Sequence, residues 1–254
     1  QINGSVYSEL VVKENNFSNF SFDLDDRMVV DSVVFDGSKT AYIQEDDEVK
    51  ITIPSQNIEA LVGVEIFYSG DPSENEQFGF NYDFQPDGPI AWTLSEPYGA
   101  YGWWPCKQQL EDKVDSMDFE FTIPHGNKAA GLGLLTQVDT LADSSLVFHW
   151  KHRYLIETYL IAIAVTNYIE FSDYFDSPNN DSLLVLNYVY PEDSVRFRNK
   201  ALRTLDFLEI YNEFFGEYPF INEKYGHCIA PLNGGMEHQT MTTQGYFVDW
   251  LTVH

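Results

Sequence analysis

The sequence predicts a mainly β chain, an antiparallel sandwich or saddle up to about residue 191, followed by a shorter stretch of mixed helix and strand. Three observations carry that reading. Apolar and polar residues alternate with period two over most of the first 190 positions, turn residues bound the alternating runs, and the pattern changes to a helical period after Pro191.

The chain opens on Gln1-Ile2-Asn3-Gly4-Ser5-Val6, already in a strand pattern. Val49, Ile51 and Ile53 fall on one face of a strand, and so do Val62, Val64, Ile66 and Tyr68, because successive side chains of an extended chain point to opposite sides. A longer apolar run extends from Tyr154 to Tyr168. Turns are supplied by Asp36-Gly37, Ser69-Gly70-Asp71-Pro72, Pro86-Asp87-Gly88-Pro89 and His125-Gly126-Asn127. No internal repeat is present.

Beyond Pro191, Asp193 or Ser194 is placed to cap one helix. Its apolar positions Phe197, Ala201, Leu205, Leu208, Tyr211 and Phe215 step by three or four, and Gly216 followed by Pro219 ends it. Cys228-Ile229-Ala230 reads as a short strand, residues 234–243 as a strand opened by glycine, and Asp249 as the cap of a further helix. The expected division is therefore a β-rich domain over residues 1–191 and the start of a second domain over residues 192–254.

With 254 residues, 44% of them hydrophobic, the chain can bury at least one full core. Its net charge of -26 is spread along the sequence and repels polyphosphate backbones, so nucleic acid is excluded as a partner. No regular Asp-x-Asp-x-Asp loop with a following Glu speaks for calcium. No stretch reaches the roughly eighteen consecutive apolar residues of a membrane helix. Cys106 and Cys228 are far apart and lack metal-type spacing, which allows either one disulfide or two buried thiols.

One motif concentrates the chemistry. Gly234-Gly235-Met236-Glu237-His238 resembles the Gly-x-Met-Glu-Asn exopeptidase motif of the aminopeptidase N and leukotriene-hydrolase family of zinc metallopeptidases. Thr93-Leu94-Ser95-Glu96, then Pro105-Cys106 and Lys113, resembles the family's Thr-Gln-x-Glu and Pro-Cys-x-Asp-x-Pro-x-x-Lys segments. Tyr159-Leu160-Ile161-Ala162 is similar to its Tyr-Leu-Leu-Ala strand, and Tyr218-Pro219 and Glu223-Lys224-Tyr225 to its Tyr-Pro and Glu-Lys-Tyr elements. Order and spacing agree from about residue 90 onward. Leu94, Gln108 and Leu110 stand where Gln, Asp and Pro are usual, His238 where Asn is, and Gly235 where Ala is more frequent.

The resemblance implies that the second stretch begins a thermolysin-like catalytic domain and that the intact protein is a zinc aminopeptidase acting on peptides with a free N-terminus. An enzyme that removes N-terminal residues must hold an ammonium group, and carboxylates do so by charge-assisted hydrogen bonds. Glu96 and Glu237 are the two candidates. Gly234, Gly235 and Met236 complete the substrate-binding set, since a strand with little side chain leaves backbone groups free to pair with a peptide. By the same resemblance His254 would be the first zinc ligand of a His-Glu-x-x-His helix, with the remaining ligands and the rest of the catalytic domain outside this sequence. The chain by itself is then expected to hold no zinc tightly and to have no peptidase activity. His149 and His152 fall in a strand pattern that points them to opposite sides, which suits no shared ligand site. Acidity and resemblance together suggest a secreted or periplasmic protein. The alternative reading is a non-catalytic β-sandwich that binds or interacts through aromatic-lined surfaces.

Overall fold

A computed structural model describes residues 1–72, 79–178 and 182–253. The fold is mainly β, as predicted, and divides into two compact units: residues 1–81 with 94–112, and residues 82–93 with 113–254.

The first unit is built on two antiparallel sheets. Strands β1 (Ile2–Val11), β7 (Leu61–Gly70), β3 (Met28–Phe35) and β4 (Ser38–Thr40) lie side by side in that order, and β2 (Phe17–Asp23), β6 (Glu48–Gln56) and β5 (Tyr42–Glu45) form the other sheet. Val49, Ile51 and Ile53 on β6 are buried, as are Val62, Val64, Ile66 and Tyr68 on β7, so the two predicted faces are core faces. Asp36 and Gly37 both take positive φ, which matches the twist a two-residue hairpin needs between β3 and β4. A bulge at residue 31 takes the Val30 N–H out of the ladder. The Gln44 side chain receives it at 3.0 Å and donates in turn to the Met28 carbonyl at 2.6 Å, joining the two sheets.

The second unit carries three sheets. Strands β10 (Met117–Ile123), β13 (Leu146–His152) and β12 (Leu134–Thr140) form one. Strands β11 (Lys128–Ala130), β14 (Ala164–Thr166), β9 (Gly88–Leu94) and β8 (Gly79–Gln85) form another. The third is a mixed sheet in the order β15 (Ile169–Asp176), β16 (Ser182–Val189), β17 (Lys224–Ile229), β19 (Thr242–Gln244) and β18 (Gly235–Met236). Strands β16 and β17 pair in parallel, and the connection between them holds α1 (Ser194–Ala201) and α2 (Arg203–Phe215). The change of character at residue 191 is thus from strand to crossover helix, and the strands before and after the crossover, β16 and β17, belong to one sheet.

Several local expectations are revised. The single helix after Pro191 is two, joined at Leu202, whose backbone stays helical while the Leu205 N–H bonds the Leu202 carbonyl and tightens the turn. Neither Asp193 nor Ser194 caps it through a side chain; a 3-10 turn over Pro191–Asp193 leads in, and Asp193 pairs with Arg196. Leu208 and Leu205 pack on Leu183 and Val185 of β16, whereas Phe215 is exposed. Residues 154–163 are largely irregular with a 3-10 turn at Thr158–Leu160, because apart from an isolated bridge between Ile156 and Val114 only Ala164–Thr166 find ladder partners. Val248, and not Asp249, is the N-cap of α3 (Asp249–Thr252).

Candidate substrate-binding edge

The Gly-Gly-Met-Glu-His run lies at the end of the mixed sheet. Expected as one strand over residues 234–243, it is instead two short strands and a turn. Gly235 and Met236 form β18, residues 237–241 turn, and Thr242 starts β19. Gly235 faces Gln244 and Met236 faces Thr243 in antiparallel register. Strand β18 is the outermost in its sheet, and among the described residues no strand pairs with its outer side. Gly234 has φ +132, a conformation glycine adopts without strain, and its carbonyl accepts the Gly245 N–H at 2.8 Å. Gly235 is exposed.

Glu237 stands at the apex of a tight turn, where the His238 N–H donates to the Met236 carbonyl at 2.9 Å. Met236 and His238 are both buried, so the two anchored side chains flank an exposed glutamate. The Glu237 carboxylate makes no hydrogen bond or ion pair with the described residues. Its acceptor capacity is open to a ligand. His238 bonds Thr243 Oγ1 through Nδ1 at 2.8 Å, and burial pushes its pKa down to about 3, so the imidazole beside Glu237 is neutral at physiological pH.

The rest of the turn is tied down from beneath. His152, at the end of β13, lies with Nδ1 2.6 Å from a Glu223 carboxylate oxygen, and the other Glu223 oxygen accepts the Arg153 N–H at 2.7 Å. Gln239 Nε2 donates to the Leu155 carbonyl at 3.1 Å and to His152 Nε2 at 2.8 Å. A carbonyl can only accept, so this edge of the Gln239 amide is its NH2; His152 Nε2 therefore accepts, and Nδ1 carries the proton donated to Glu223. Next along the turn, the fully buried Lys224 donates through Nζ to the Thr240 carbonyl at 3.0 Å and to Thr240 Oγ1 at 3.3 Å, with its ammonium 5.1 Å from the centre of the Trp150 ring. Desolvation lowers the Lys224 pKa to about 7, against the opposing pull of Glu223.

None of these supporting side chains was singled out as a site residue from the sequence. The available signal was Glu223-Lys224, two adjacent charges at the head of an apolar strand, where an unpaired charge is too costly to bury.

Glu96 belongs to the first unit, and Gly234 through Glu237 to the second. It follows β9 in an exposed turn and, like Glu237, makes no hydrogen bond or ion pair with the described residues. The turn is held by its neighbours: the Gly99 N–H bonds the Ser95 carbonyl at 2.7 Å, and Trp103 Nε1 donates to the buried Ser95 hydroxyl at 3.2 Å. Trp103 and Trp104 are core residues, while Tyr98 is exposed beside Glu96.

The predicted metal ligand His254 lies outside the described residues. Among those described, no three His, Cys, Asp or Glu side chains gather as a metal site requires. Cys106 and Cys228 are buried free thiols, one in each unit. No helix of the described residues is long and apolar enough to cross a membrane.

No protein-family profile and no curated protein sequence matches the chain. Solved structures do. An M1 zinc metallopeptidase variant from Deinococcus radiodurans, bound to the substrate Tyr-Ser-Ala, superposes with a TM-score of 0.78 at 20% identity, over 95% of this chain and 55% of its own. The fold is that of M1 zinc metallopeptidases. The unsubstituted enzyme from the same organism gives a TM-score of 0.77 at 20% identity with the same coverage. A two-domain M1 zinc metallopeptidase variant bound to L-tryptophan gives 0.78 at 20% identity, over 95% of this chain and 56% of its own. The chain therefore spans little more than half the length of the structures it matches.

Proposed function

We propose that this chain is the substrate-recognition half of a zinc-dependent aminopeptidase of the M1 type, and that Glu237 holds the free N-terminal ammonium of a peptide, a role the family resemblance also gives Glu96. The observation that carries the reading is Glu237 itself. An exposed carboxylate without a partner, flanked by two buried side chains at an open sheet edge, is a fixed acceptor for a cationic donor. Gly234 and Gly235 offer backbone to an extended peptide along the same edge. Likeness in fold to M1 zinc metallopeptidases supports the peptidase reading over a non-catalytic binding module.

Zinc in the intact protein would polarise the attacking water, with His254 as its first ligand and the others in the remainder of the catalytic domain. With those further ligands outside this sequence, the chain alone is expected to be inactive and to bind zinc poorly. A secreted or periplasmic location fits the acidity of the chain.

The test is peptidase assay of the intact protein beside Glu237→Gln and Glu96→Gln. Each variant should lose about 100-fold in kcat/KM toward peptides with a free N-terminus while zinc content is unchanged. Equal loss of zinc and activity would assign these carboxylates to the metal site or to folding instead.

A further inference from the structure

Glu237 is presented by a turn that is fixed far more heavily than a surface turn requires. On its N-terminal side the ladder pairs Met236 with Thr243. On its C-terminal side two buried clasps close on consecutive residues. The Glu223–His152 pair receives Gln239, and Lys224 reaches Thr240, whose hydroxyl also accepts the Gly133 N–H at 2.8 Å. Thr240 has φ +68, a left-handed conformation that a β-branched residue adopts only at a cost in energy. The strained residue is buried and held through both its carbonyl and its hydroxyl.

Burying a lysine ammonium, an imidazole and a carboxylate under one five-residue turn is an expensive way to stabilise a sheet corner. What it secures is geometry. The clasps come from β13 to the Gln239 amide, from the start of β17 to the Thr240 carbonyl and from the loop before β12 to the Thr240 hydroxyl, so the turn is triangulated from three parts of the unit. Of residues 236–240, Glu237 alone is exposed.

We propose that Lys224 and Gln239 are positioning residues, which act through the backbone of residues 239 and 240 to set where Glu237 meets a substrate ammonium. This rests on the anchoring role given to Glu237 above. Neither side chain touches the ligand.

The experiment is a double-mutant cycle on the intact protein stripped of metal, so that binding is read without turnover. Calorimetry measures its affinity for a tripeptide with a free N-terminus and for the same tripeptide acetylated. Glu237→Gln should weaken the free form about tenfold and leave the acetylated form unchanged. Lys224→Met, which keeps the volume and removes the hydrogen bonds to Thr240, should weaken the free form about fivefold in the parent and not at all in the Glu237→Gln background. Gln239→Met, which cuts the other clasp and leaves Lys224 in place, should behave in the same way and decides the matter if Lys224→Met does not fold. Equal weakening in both backgrounds, equal weakening of both peptides, or no weakening would overturn the positioning role while the Glu237→Gln result stands. No effect from Glu237→Gln itself would overturn the anchoring role, and the positioning role with it.

Discussion

His152 Nδ1 lies 2.6 Å from a carboxylate oxygen of Glu223, 71 residues later in the chain, and the pair is sealed from solvent beneath the turn that carries Glu237. It joins the end of β13 to the residue before β17. Glu223→Ala would leave His152 Nδ1 unmatched in the interior and take away the acceptor of the Arg153 N–H. The expected loss is about 3–5 kcal/mol in urea unfolding, and Glu223→Gln should lose less because an amide oxygen still accepts one of the two bonds. Similar small losses for both variants would show that the pair contributes little to stability.

Lys224 gives a pH signature. Its folded pKa of about 7 lies below the ordinary 10.5, so between those values the unfolded chain holds a proton that the folded chain has released. Stability should then rise with pH from about 7 toward 10, by at most about 1.4 kcal/mol per pH unit from this group. Lys224→Met should flatten that rise, which urea titrations at pH 7 and pH 9 would read directly.

On the acid side the relevant groups are His227 and His238, both pushed down to about 3 by burial from an ordinary value of 6.5. The unfolded state takes up their protons as pH falls below 6.5 while the folded state does not. Stability is lost progressively from about 6.5 toward 3. His238→Asn should remove one of the two contributions and halve the slope due to them, measured as unfolding free energy at pH 6.5 and pH 4.5.

Two glycines that adjoin in space should differ sharply on substitution. A Cβ at Gly245 would sit 1.9 Å from the Leu232 carbonyl oxygen, which is backbone and cannot step aside, whereas one at Gly235 first meets the Leu251 Cδ1 methyl at 3.1 Å. Gly245→Ala is expected to cost more than about 3 kcal/mol and Gly235→Ala less than about 1 kcal/mol. Thermal unfolding of the two variants would rank them, and an equal shift in Tm would contradict the packing at Gly245.

Much of the fold was written in local pattern. The faces of β6 and β7, the Asp36-Gly37 hairpin and the helical period after Pro191 are short-range properties, set by the two-residue and 3.6-residue repeats of backbone geometry. The candidate anchor rests on equally short-range motifs, since Gly234 to Glu237 are contiguous and Glu96 lies in a compact motif of its own. The apolar run over residues 154–168 misled, because apolar content does not say whether a ladder partner exists.

What determined the sequence reading was therefore adjacency along the chain: strand periodicity, turn chemistry, the acidic balance and the short carboxylate-bearing motifs. Tertiary structure alone decided that the strands on either side of residue 191 pair in one sheet, that both cysteines are free, and that Gln239 and Thr240 are held from below by His152, Glu223 and Lys224. Those ties join residues 16 to 87 positions apart, and their energetic weight comes from exclusion of water, which no local pattern encodes.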